Sequence, residues 1–326
     1  MSAPPPDTAA LAAAVLAAEE RLRPLIRETY LEHSPLLSEM TGAQVYLKLE
    51  NLQLTGSFKV RGAFNKTLSL SPTRRARGIV AASTGNHALA VAHVLRHLGL
   101  SGTVFVPSTV ARGKLARLRR AGLKIELAGP DSADAEVTAR AFSQRHGLAY
   151  VSPYNDLDVI AGQGTLGVEL SRQCAHIDDV FIAVGGGGLV SGVAAHLKQV
   201  HPAVRIVGCQ PCNSRVMMES VRAGRILDMQ SEPTLSDGTA GGLEPDCITF
   251  ALCQNLVDEF VSVTEEEIHR SLRLVIDEHH QLVEGAAAVA VAALLHRSAS
   301  VRGRTVAVVL CGGNIGFERL VSARTD

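Results

Sequence analysis

Short β-branched runs alternate along this chain with Ala- and Leu-rich stretches of helical period. That alternation constrains the fold more than any other feature, because it builds a parallel sheet covered by helices on both faces. An α/β fold is therefore expected. The strand candidates are Val45–Leu49, Ile79–Ala82, Thr103–Val106, Lys124–Leu127, Ala149–Ser152, Val180–Val184, Arg205–Cys209, Phe260–Val263 and Thr305–Leu310. Helices fill the gaps. One spans Asn86–Leu98 and stops at Gly99, and another opens at a capping box, Thr264 with Glu267, and runs to about His279. At 326 residues the chain calls for two domains, or one core divided by an inserted lobe. Residues 77–150 hold three strands and three helices, enough for a small domain, and residues 1–76 with 151–326 supply the large one. A ligand cleft is expected between them, facing the carboxyl ends of the strands.

Composition narrows the partners. Hydrophobic residues make up 46% and charged residues 20%, the balance of a globular protein and not of a disordered one. Lys plus Arg equals Asp plus Glu at 32 each, so no global field draws in nucleic acid or an anionic membrane. The longest uncharged apolar run, Ala286–Leu295, is about half of the roughly 20 residues a membrane span needs and reads as a buried helix. The start, Met1–Ala10, carries Pro4, Pro5 and Pro6 without a basic and then apolar region, so a frayed tail is expected there and no secretory signal. Six cysteines, at 174, 209, 212, 247, 253 and 311, form no framework, and the C-x-x-C of Cys209 and Cys212 lacks a second pair. Reduced thiols and a cytoplasmic location follow. His93 and His97 stand four apart, but no Glu follows His93 as a zinc-protease helix requires, so they read as an ordinary helix face. No G-x-S-x-G esterase signature occurs.

The chemistry concentrates in four segments. Gly185-Gly186-Gly187-Gly188 follows the strand ending at Val184 and opens a helix. Four consecutive glycines cost backbone entropy, and a plain flexible turn seldom needs them. Their N–H groups, backed by the positive end of the following helix, can converge on a phosphate. The loop fits neither the dinucleotide fingerprint, which wants glycine where Val190 or Ser191 stands, nor the P-loop, since no Gly-Lys-Ser/Thr occurs. Thr55-Gly56-Ser57-Phe58-Lys59-Val60-Arg61 places a lysine between a turn and a helix start. Alone, a lysine is a solvated surface charge; beside a phosphate cradle, it can become the amine that forms a Schiff base with an aldehyde cofactor, which needs a partly buried site of lowered pKa. Ser83-Thr84-Gly85-Asn86-His87 opens the next helix, where it is either an ordinary N-cap or a seat for a substrate carboxylate. Leu310-Cys311-Gly312-Gly313-Asn314 runs from a strand into a glycine turn.

In type and order these segments resemble those of the serine/threonine dehydratase family of fold-type-II pyridoxal-phosphate enzymes, over nearly the whole chain. Lys48-Leu49-Glu50-Asn51, Ile160-Ala161-Gly162-Gln163-Gly164-Thr165 and Glu284-Gly285-Ala286 match as well. The resemblance implies two open twisted lobes, like those of the tryptophan synthase β subunit, with pyridoxal phosphate in the cleft and a homodimer. It also implies roles: Lys59 carries the cofactor, Phe58 packs on its ring, Asn86 bonds the ring hydroxyl and Gly185, Gly186, Gly187 and Gly188 hold the phosphate. Ser83, Thr84, Asn86 and His87 would grip the substrate carboxylate, and Cys311 would face the pyridine nitrogen. A thiol there leaves the ring nitrogen largely unprotonated, a shallower electron sink that favours prompt β-elimination. The chain ends at Asp326 without a counterpart of the regulatory domain of biosynthetic threonine dehydratases, so control by isoleucine is not implied.

The activity so implied is elimination of the β-hydroxyl of a serine- or threonine-like amino acid, giving a 2-oxo acid and ammonia. A serine-type racemase is the competing activity, and it turns on Thr84, where serine racemase has serine and many dehydratases alanine. Three departures mark this chain. Cys311 stands where serine racemase has serine. Ser152-Pro153-Tyr154 replaces a His-Pro-Phe or His-Pro-Asn at the mouth of the side-chain pocket. Gln210 and Val216 occupy the positions where metal-dependent members carry acids, so no metal is expected.

Overall fold

The computed structural model describes residues 7–322. Ten strands form two sheets: β1 Leu31–His33, β2 Gln44–Lys48, β3 Ile79–Ala82, β4 Gly102–Val106, β5 Lys124–Leu127, β6 Ala149–Tyr150, β7 Asp179–Ala183, β8 Arg205–Pro211, β9 Glu259–Val263 and β10 Thr305–Val309. The larger sheet has the order β1-β2-β10-β7-β8-β9 and the smaller β5-β4-β3-β6. Every pairing is parallel except β1 with β2. All nine expected strands are present, shifted by at most two residues at an end. The antiparallel edge strand β1 was not expected: Leu31-Glu32-His33 is short, carries no β-branched residue and is half to fully exposed.

The smaller sheet has four strands where three were expected, because Ala149–Tyr150 pairs with Ile79–Val80. Its apolar core also takes in Leu22, Val60, Ala63, Phe64 and Val159. The helix Lys59–Ser69 therefore buries Val60, Ala63 and Phe64 in the core of the smaller sheet. Gly285–His296 is the expected apolar helix, buried from Gly285 to Leu294 against the larger sheet. Thr264 and Glu267 form the expected capping box, and Asn86–Leu98 ends at left-handed Gly99. Asp7 and Thr8–Ala10 are ordered, where the expected tail runs to Ala10. Asp7 accepts from Ala9 N (2.9 Å) and Ala10 N (3.3 Å) and so caps a helix from Thr8 to Leu22; residues 1–6 lie outside the described residues. No helix among the described residues is long and apolar enough to cross a membrane.

Candidate active site at the carboxyl ends of the strands

Each of the four chemical segments leaves the carboxyl end of a parallel strand: Ser83–Asn86 after β3, Gly185–Gly188 after β7, Cys311–Asn314 after β10, and Thr55–Lys59 beyond β2. This is where α/β sheets place ligands. The lysine turn is stitched to the end of β10, since Ser57 pairs with Gly312 and Phe58 N donates to Cys311 O at 3.2 Å. Lys59, half-buried at the first turn of its helix, donates from Nζ to Pro153 O at 2.8 Å and lies 5.0 Å from the Phe58 ring centroid. Burial lowers its pKa to about 8, against the opposing pull of Cys311 and Glu284. An amine in that range is a usable nucleophile and base near neutral pH.

Two residues on, Arg61 enters a buried ion cluster that no local sequence pattern signals. Its guanidinium bonds Glu50 Oε1 (2.7 Å), Glu50 Oε2 (2.8 Å) and Glu169 Oε1 (2.8 Å), while Lys48 Nζ reaches Glu169 Oε2 at 2.6 Å. All four side chains are fully buried. Burial works against the charge on Glu169, but Arg61 and Lys48 beside it hold its pKa down at about 2. The cluster locks the start of the Lys59 helix onto β2 and the helix Leu157–Gln173.

The tetraglycine opens the helix Gly188–Val200 with no side-chain cap, which leaves its first N–H groups for an anion. Glycine is also demanded by neighbours. A Cβ on Gly186 would stand 2.4 Å from the Tyr154 ring, and Gly187 has φ 83° with Cys253 Sγ 2.9 Å from where its Cβ would be. Thr249 Oγ1 donates to Gly186 O at 2.6 Å, and Tyr154 Oη accepts from Glu244 N at 3.0 Å. Tyr154 was expected at the mouth of the side-chain pocket. Its ring packs against Gly186 of the tetraglycine, and the Ser152 hydroxyl beside it accepts from Asn155 N (3.0 Å).

The helix Asn86–Leu98 likewise opens without a side-chain cap. Ser83 Oγ instead accepts from Gly85 N at 3.1 Å, so an ordinary N-cap does not explain this segment. The His87 ring is buried, and its Nε2 donates to Val151 O at 2.8 Å. Burial, with Lys59 nearby, pulls its pKa to about 3, so it is neutral. Any anion contact of His87 must come from its backbone N–H. Asn86 is gripped at both ends, donating to Glu284 Oε1 at 2.7 Å and accepting from Asn314 Nδ2 at 2.7 Å. The sequence assigns neither partner a role, although both lie in segments that carry the resemblance. Cys311 is buried, which pushes its thiol well above the ordinary value and keeps it protonated. Gln210, expected near a family metal position, spends its amide on Val184 O (3.0 Å), Ser214 O (3.4 Å) and Met218 N (2.8 Å). His93 and His97 both pack edge-on to Phe64.

A depressed lysine and two uncapped helix ends are what an aldehyde-bearing phosphate and an amino-acid carboxylate require. Buried Thr55 Oγ1 and Ser57 Oγ have no hydrogen-bond partner among the described residues. Fold and site together define an α/β enzyme of the pyridoxal-phosphate class. The sequence matches the pyridoxal-phosphate dependent enzyme family over residues 22–312, and the chain belongs to that family. It is similar to the L-threonine ammonia-lyase of Thermotoga maritima, 42% identical over 91% of this chain and 74% of that one. The catabolic L-threonine dehydratase of Escherichia coli is 35% identical, covering 94% and 93% of the two chains. Among solved structures, the processed threonine deaminase isoform 2 of Solanum lycopersicum superposes with a TM-score of 0.92 at 32% identity, covering 99% of this chain and 90% of that one. Maize serine racemase gives 0.90 at 27%, with 95% of each chain covered.

Proposed function

We propose that this enzyme is an ammonia-lyase that removes the β-hydroxyl of a serine- or threonine-type amino acid and yields a 2-oxo acid and ammonia. The observation that carries the reading is Lys59, an amine of depressed pKa set among the tetraglycine loop and the Ser83–Asn86 helix start, both without side-chain caps. Pyridoxal phosphate, when bound, supplies the electron sink for the α-carbon. Lys59 would anchor it and, as a free amine, would take the α-proton of the substrate. The N–H groups of Gly185–Gly188 would hold the phosphate, Phe58 would pack on the ring, Asn86 would bond the ring oxygen and the protonated Cys311 would serve the ring nitrogen. Ser83, Thr84, Asn86 and the backbone of His87 hold the carboxylate. The β-hydroxyl leaves as water, and the released enamine takes up water to give the 2-oxo acid and ammonia.

The names of the threonine ammonia-lyase and dehydratase relatives support elimination. Likeness to serine racemase keeps racemisation as the second reading, and Thr84 decides between them. A panel of serine, threonine, phenylserine and 3-hydroxyaspartate, assayed for ammonia, 2-oxo acid and enantiomer, tests the assignment. Keto acid should dominate, Thr84→Ala should spare most of the elimination rate, and EDTA should leave it unchanged. Enantiomer formed from L-serine faster than pyruvate, and lost selectively in Thr84→Ala, would establish the racemase instead.

The reading extends to two domains, 77–150 and the remainder, and to a cytoplasmic homodimer. Reduced cysteines agree with that compartment. Exposed Tyr30, Leu52, Leu54 and Leu282 lie on segments joined by hydrogen bonds and offer an apolar face to a second copy. Light scattering on the purified protein measures the mass.

A further inference from the structure

Three segments that lie far apart in the chain meet at one carboxylate. Glu284, 7% exposed, accepts from Asn86 Nδ2 at 2.7 Å through Oε1 and from Asn314 N at 3.2 Å through Oε2. Its own N–H donates to Gly312 O at 3.0 Å. The carboxylate fills the side-chain space of Gly312, whose Cβ would come within 2.6 Å of Glu284 Oε1. The Cys311–Asn314 turn is thus shaped around this acid.

The directions of these bonds are forced. Burial raises the pKa of this acid, yet both of its oxygens act as acceptors here, Oε2 facing a backbone N–H that only donates and Oε1 facing the Asn86 Nδ2. Asn314 Nδ2 donates to Thr55 O at 2.9 Å, a carbonyl that also only accepts, which leaves the same nitrogen to donate to Asn86 Oδ1 at 2.7 Å. The guanidinium of Arg117 donates to Asn314 Oδ1 and agrees with that orientation. Asn86 carries two N–H bonds, and Glu284 uses one of them.

We propose that Glu284 is a positioning residue of the cofactor site: it sets which way the Asn86 amide faces and so presents the second N–H of Asn86 to the ring oxygen of bound pyridoxal phosphate. This rests on the reading that Asn86 meets that oxygen. Glu284→Gln puts a donor where either Asn86 or Asn314 N also donates, so one side of the grip is lost. Hydrogen bonds to charged groups are strong enough that cofactor affinity should fall about tenfold.

The test is a double-mutant cycle read by titrating the apoprotein with pyridoxal phosphate and by the absorption band of the bound cofactor. Asn86→Ala should weaken binding and shift the band. Glu284→Gln should do likewise in the wild-type chain, yet change affinity less than twofold in the Asn86→Ala background. If the two effects multiply in full, Glu284 does not act through Asn86 and the proposal is wrong. If Asn86→Ala leaves affinity and band unchanged, the reading of Asn86 itself fails and the proposal falls with it. Melting of each apoprotein reports the fold. Should Glu284→Gln not fold, Glu284→Asp, which keeps the acid but draws it back from Asn86 by one methylene, takes its place in the cycle under the same criteria.

Discussion

Lys59 shows how burial changes what one side chain can do. An exposed lysine is protonated throughout the neutral range, whereas an amine with a pKa of about 8 is free in roughly one molecule in ten at pH 7 and nine in ten at pH 9. Capture of pyridoxal phosphate by the apoprotein should therefore speed up about tenfold between those pH values and then level off. Stopped-flow absorbance measures it, and a rate still climbing steeply past pH 9 would show that the lysine is not depressed. His87, neutral down to about pH 3, adds no titration of its own to this window. The Lys59 turn was recognisable from Gly56-Ser57-Phe58-Lys59. The inward-facing His87 ring was not, because its partner Val151 O lies 64 residues away.

At the scale of the element, the tetraglycine answers to its neighbours as much as to a phosphate. The phosphate reading asks only for bare N–H groups, but the Tyr154 ring leaves no room for a methyl on Gly186. Gly186→Ala should weaken cofactor binding by about fivefold to 150-fold, in line with the steric cost of overpacking, roughly 1–3 kcal/mol. Adding Tyr154→Ala should recover part of that loss. A double variant no better than Gly186→Ala alone would show that the phosphate, and not Tyr154, dictates the glycine. Helix boundaries set by local chemistry, such as the Thr264–Glu267 box and the Gly99 stop, were legible because caps act within a few residues. The strand β1 was not, since what makes it a strand is the edge of β2.

Across the whole molecule, the Lys48–Glu169–Arg61–Glu50 cluster joins β2, the Lys59 helix and the helix Leu157–Gln173 in the dry interior. Removing one partner leaves an uncompensated buried charge, so Glu169→Gln should lose about 3–5 kcal/mol of folding free energy, measured by urea unfolding. A loss below about 1 kcal/mol would mean that water or rearrangement replaces the bond. Because the folded-state pKa of Glu169, about 2, lies below its ordinary 4.5, its contribution is complete above about pH 4.5 and disappears as the pH falls towards 2. Nothing local in Lys48, Glu50 or Arg61 announces this cluster, for such residues are surface charges by default.

The layered α/β architecture, nine of the ten strands among the described residues and the four glycine- or lysine-bearing segments are legible along the chain, because periodicity, capping and glycine tolerance are properties of neighbours in sequence. How those segments face one another is set by the packed fold alone. It set Tyr154 on the tetraglycine, turned His87 inward, and brought Glu284 between Asn86 and Asn314, across separations of 198 and 30 residues. Such contacts depend on which strand ends lie side by side in the sheets, an order that no window of sequence contains.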